Sequence, residues 1–77
     1  MYFEEVKKVI VATLRCDEAE VTEKTMLVED LGADSLDAVE LNMALEDAFG
    51  VQLPEGTMAE LKTVGDIAAR IEKIKAA

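Results

Sequence analysis

Seventy-seven residues with 17 Asp and Glu against 8 Lys and Arg, one Cys and no His admit one small domain with a thin core. A net charge of −9 excludes nucleic acid as a partner, because phosphate backbones repel such a surface. The lone Cys16 rules out an internal disulfide framework, and the missing His removes the commonest metal ligand and general base.

No apolar run reaches the roughly 18 residues of a membrane span, and Glu4 and Glu5 stand where a secretory leader would be basic. A soluble, cytoplasmic chain is expected. With no Trp and few aromatics, the core must come from aliphatic residues and Ala at helical spacing.

Residues 2 to about 15 read as a first helix, in which Phe3, Val6, Val9, Ile10, Thr13 and Leu14 share one face. Residues 16–34 read as a long loop, and such a loop needs apolar pins to the core, for which Val21, Leu27, Val28 and Leu31 are the candidates. Asp34 or Ser35 then caps a second helix ending near Phe49, with Gly50 just past its end.

Pro54 marks an extended exit. Thr57 with Glu60 offers a capping-box pattern for a short helix, and Thr63 with Asp66 opens a last helix whose Val64, Ile67, Ala68, Ile71 and Ile74 form one face. The fold class predicted is all-α: a small up-down bundle of three main helices plus one short helix, with a long loop after the first helix.

The charge is unevenly placed. Between Thr25 and Leu61 stand nine acids (Glu29, Asp30, Asp34, Asp37, Glu40, Glu46, Asp47, Glu55 and Glu60) and no base, while the rest of the chain balances eight against eight. A charge run is usually a solvated face, but a base-free stretch of this length points to basic partners, since a single-sign field steers association.

Stepping 100° per residue from Ser35 gives the second helix two apolar stripes. Ala38, Leu41, Leu45, Ala48 and Phe49 fall between about 220° and 320°, an arc wide enough for a core face. Leu36, Val39 and Met43 fall between about 40° and 100°, flanked by Glu40, Glu46 and Asp47. A helix in so small a bundle buries about one such arc, so this second stripe is expected at the surface unless the short helix covers it.

Ser35 sits at the end of that stripe. A catalytic serine needs a base and oxyanion donors, yet the chain has no His and the nearest charged neighbours are Asp34 and Asp37, which oppose an alkoxide. The EF-hand spacing also fails at every Asp in the region, so no metal loop is expected.

"LGADSLD" followed by "VEL", within residues 28–54, closely resembles the acyl carrier proteins of type II (dissociated) fatty acid synthesis, and the likeness runs on to the closing "TVGDIAARIEKI". The resemblance implies that residues 1–77 form a single acyl-carrier domain. It further implies that Ser35 accepts a 4′-phosphopantetheine arm from coenzyme A through a phosphopantetheinyl transferase, the holo-carrier synthase.

The arm's thiol would hold growing acyl chains as thioesters, so the protein would be a carrier, not an enzyme. By the same resemblance, Asp34, Leu36, Asp37, Val39, Glu40, Met43, Glu46 and Asp47 would dock the basic patches of fatty acid synthesis enzymes onto a monomer. Leu45, Leu61 and Ile71 would shelter the cargo.

Asn42 departs from the resemblance, occupying a usually apolar position. Two alternatives stand beside the main reading: a carrier for polyketide, amino-acyl or lipid-A-type precursors, and an acidic adaptor in which Ser35 only caps a helix. Nine crowded carboxylates should weaken the fold at low ionic strength. Thermal melts are therefore expected to shift upward with added salt.

Overall fold

The computed structural model describes residues 2–54 and 56–76. Among these residues four helices run in chain order, α1 (Phe3–Leu14), α2 (Ser35–Phe49), α3 (Thr57–Glu60) and α4 (Val64–Ala76), with a 3-10 turn at Glu18–Glu20. The three long helices start within a residue or so of where capping signals and apolar periodicity put them, and α1 and α2 also stop there. α1 packs against both α2 and α4.

The core follows the expected faces: Val6 and Ile10 of α1, Leu41 and Leu45 of α2, and Val64, Ile67, Ala68 and Ile71 of α4 are buried. Phe3, Val9, Leu14 and Ile74 pack around its edge, and the Tyr2 ring meets Phe49 edge-on at 5.9 Å. Thr63 caps α4 as its sequence promised, its hydroxyl accepting from Asp66 N at 3.0 Å while the Asp66 carboxylate accepts from Thr63 N at 3.2 Å. Thr57, by contrast, is the first residue of α3 and is buried, so it is not that helix's exposed cap.

The loop between α1 and α2 is held by its backbone as much as by its side chains. Val21 and Leu27 are buried as expected and Leu31 is half-buried, but Val28 is 69 % exposed. Residues 26–33 turn back on themselves: Met26 N donates to the Asp30 carboxylate at 2.8 Å, Gly32 N to Val28 O at 3.1 Å and Ala33 N to Leu27 O at 3.0 Å. Gly32 supplies the positive φ of 67° that this turn requires. Leu27 and Ala33 then point inward, and Val28 is left outside.

Three backbone hydrogen bonds strap the loop to the α3–α4 junction: Leu27 N to Lys62 O at 3.0 Å, Val64 N to Thr25 O at 3.0 Å and Gly65 N to Glu23 O at 2.9 Å. A Cβ on Gly65 would lie 2.8 Å from Glu23 O, so this close approach needs glycine. Thr25 knots the same loop, its buried hydroxyl donating to Glu20 O at 2.8 Å and accepting from Thr22 N at 2.8 Å.

Replacing Thr25 by Val keeps its volume but orphans both partners, which costs about 1–3 kcal/mol. Urea unfolding of Thr25→Val is expected to show that loss with an unchanged m-value.

Candidate functional site

The site begins with how α2 starts. Asp34 is its N-cap: the Asp34 carboxylate accepts from Asp37 N at 2.8 Å, and the Asp37 carboxylate accepts in return from Asp34 N at 3.2 Å. This capping box satisfies a helix-end donor without help from Ser35. Ser35 is the first helical residue and is exposed, so the reading in which it merely caps the helix is replaced by one in which Asp34 does so.

At the other end, Gly50 adopts the left-handed conformation and donates to Glu46 O at 2.9 Å, while Lys75 Nζ reaches Phe49 O at 3.1 Å. The turn at Gly50 returns Val51 and Leu53 to the core. Ala48, expected on the core face, is exposed.

The second apolar stripe is open. Leu36, Val39 and Met43 are 65 %, 57 % and 59 % exposed, because α3 is one turn long and does not reach over them. Asp34, Glu40 and Asp47 are exposed beside them, and Asp37 and Glu46 are half-buried. Glu55, another of the nine acids, lies outside the described residues. Among the described residues the ion pairs are Lys7 with Glu18 and Arg70 with Glu60, so none of the acids on α2 is neutralised by a base.

Asn42 and Glu46, one turn apart on α2, grip the same peptide. Glu46 Oε2 accepts from Leu53 N at 2.8 Å and Asn42 Nδ2 donates to Leu53 O at 3.3 Å. Asn42 Oδ1 is buried with no partner.

Ser35 opens onto a cavity of about 590 Å³. Its walls are Asp34, Asp37, Ala38 and Leu41 from α2, Met26, Leu27, Val28, Glu29 and Ala33 from the loop, and Ala59, Leu61 and Lys62 from the other side. Leu61 is among its walls, while Leu45 and Ile71 are fully buried in the core between the helices.

The loop walls escaped sequence reasoning because irregular segments carry no periodicity from which to infer a facing side. Cys16 is half-buried, and its thiol is pushed up from the ordinary value chiefly by burial, with Glu20 and Asp17 adding to the effect and a backbone hydrogen bond opposing it.

Among the described residues no group of three His, Cys, Asp or Glu side chains could hold a metal ion. Ser35 has the carboxylates of Asp34 and Asp37 for neighbours, which oppose an alkoxide, and the chain has no His. Its hydroxyl is exposed, at a helix end, and beside an apolar-walled cavity, and those are the properties a long prosthetic arm needs at its root.

Residues 4–71 match the protein family described as the phosphopantetheine attachment site. An alignment over 73 residues is 47 % identical to the acyl carrier protein of Wolinella succinogenes, covering 95 % of this chain and 96 % of that protein. The chain belongs to the acyl carrier protein family, whose members bear phosphopantetheine.

Removing the cap tests the local construction. Asp34→Ala is expected to cost about 1 kcal/mol of stability, the usual value of an N-cap. The urea midpoint should be compared in high salt, where relief of carboxylate repulsion is screened.

Proposed function

We propose that Ser35 is the residue that carries 4′-phosphopantetheine and that the chain delivers acyl groups on that arm to the enzymes of fatty acid synthesis. The observation that carries this reading is the division of labour at the start of α2, where Asp34 and Asp37 close the helix end and leave an exposed hydroxyl at the mouth of a cavity. When bound, the arm supplies a thiol for thioester formation. The chain's own residues root it, shelter what it holds and present it to partners.

Presentation falls to α2. Leu36, Val39 and Met43 offer apolar area, and Asp34, Asp37, Glu40 and Asp47 surround it with negative charge. The apolar residues favour residence and the charges favour orientation and on-rate, so the matching enzyme surface is an apolar patch ringed by Lys and Arg. Glu46 adds its charge with one oxygen already committed to Leu53 N.

The transferase that loads Ser35 must likewise bring cations to a phosphate that arrives between Asp34 and Asp37. In this reading residues 1–77 act as one monomeric carrier domain in the cytoplasm, with no catalysis of their own. No helix among the described residues is long and apolar enough to cross a membrane.

Intact mass after incubation with coenzyme A and a phosphopantetheinyl transferase tests the assignment. The wild-type chain is expected to gain one phosphopantetheine and Ser35→Ala none. Asp37→Lys and Met43→Ser should each lower the loading kcat/KM roughly tenfold, the scale of a lost interface contact, without preventing folding. An adduct on Ser35→Ala, or none on wild type, would overturn the reading.

A further inference from the structure

The cavity beside Ser35 is lined by three acids, Glu29, Asp34 and Asp37, and by one base, Lys62. Lys62 stands just past the base-free stretch that ends at Leu61, so it is an exception to the charge of its surroundings. The loop strap fixes its place. Its carbonyl accepts from Leu27 N at 3.0 Å, and the next residue, Thr63, pairs with Met26 in an isolated antiparallel bridge, which ties this backbone to the loop wall of the same cavity. Lys62 is exposed, and the ion pairs among the described residues, Lys7 with Glu18 and Arg70 with Glu60, do not include it.

We propose that Lys62 is a positioning residue for the prosthetic arm: its ammonium pairs with a phosphodiester on Ser35 and draws the root of the arm across the cavity mouth. This rests on the assignment of Ser35 as the attachment point. A phosphodiester keeps a full negative charge at neutral pH and has two oxygens free to accept. The carboxylates of Asp34 and Asp37 compete less well for the lysine, because each already accepts from a backbone N–H in the capping box. The same box makes the start of α2 a poor seat for phosphate, so the cavity's base is where the charge is balanced.

Lysine suits the task, since a compact charge on a flexible stem can follow a phosphate on a mobile arm without demanding the fixed geometry of a guanidinium fork. Lys62 shares its side of the cavity with Ala59 and Leu61. Pairing there lays the rest of the arm along apolar walls and out of the solvent. The lysine acts on the phosphate end alone and leaves the thiol and its thioester chemistry untouched.

The test uses the full chain loaded by a phosphopantetheinyl transferase, with intact mass confirming one arm, and reads NMR. Cross-relaxation is expected between the Lys62 ε-methylene and the arm methylene bonded to the phosphate, and between the arm's amide protons and the methyls of Ala59 and Leu61. Lys62→Gln should move the phosphorus resonance and lose the contacts of the arm with the walls, and Lys62→Arg should retain them. Lys73→Gln, on α4 and outside the cavity, should change neither. Raising the ionic strength to about 1 M, where the screening length falls to about 3 Å, should weaken the wild-type contacts. The Leu27 amide signal is expected to stay in place in Lys62→Gln, because the strap uses the Lys62 carbonyl and not its side chain. Undiminished contacts in Lys62→Gln, or equal loss in Lys62→Arg, would overturn the role of Lys62 with the carrier assignment intact. A wild-type chain that gains no arm would overturn both, and the mass alone reveals that case.

Discussion

Helix α2 carries more apolar surface than the rest of the chain can cover, and the architecture follows from that excess. Leu41 and Leu45 are taken up by the core with α1 and α4, which leaves Leu36, Val39 and Met43 on the opposite side. A larger protein would lay another helix there. This one has only the single turn of α3, and it is spent on the wall of the cavity beside Ser35. The exposed stripe thus persists at a standing cost in solubility, which the surrounding carboxylates offset by keeping like molecules apart.

Legibility in the sequence followed periodicity. The long helices, their core faces and the open stripe of α2 could all be read by angle, because each residue there has a fixed bearing relative to its neighbours. Val28 shows where that stops: in an irregular loop no angle relates one residue to the next, and its exposure depends on the Asp30 turn and the strap to Lys62. Ala48 failed for a different reason. Its bearing of about 220° stands at the edge of the core arc, and there it is exposed.

The site was legible to the same degree. The exposed hydroxyl and its acid neighbours could be seen in "GADSLD", whereas the cavity could not, since its far wall comes from residues 26–33 and 59–62. The acids also proved unequal. Asp34, Asp37 and Asp30 hold backbone N–H groups of the chain, and Glu46 holds Leu53 N, so part of the negative charge shapes the surface that the remainder presents. A count of carboxylates does not separate these tasks; only the partners of each oxygen do.

The capping box also bears on how an arm rooted at Ser35 would behave. A helix N-terminus with open N–H groups attracts phosphate, and an arm held that way would lie against the protein. Here two carboxylates already occupy the start of α2, with Asp37 N committed to Asp34. A phosphodiester on Ser35 gains less from the helix dipole and is repelled by both acids. The same pair that fixes the geometry of the helix would therefore keep an arm on Ser35 from settling at its root, and would leave the apolar cavity and a partner surface to compete for its far end.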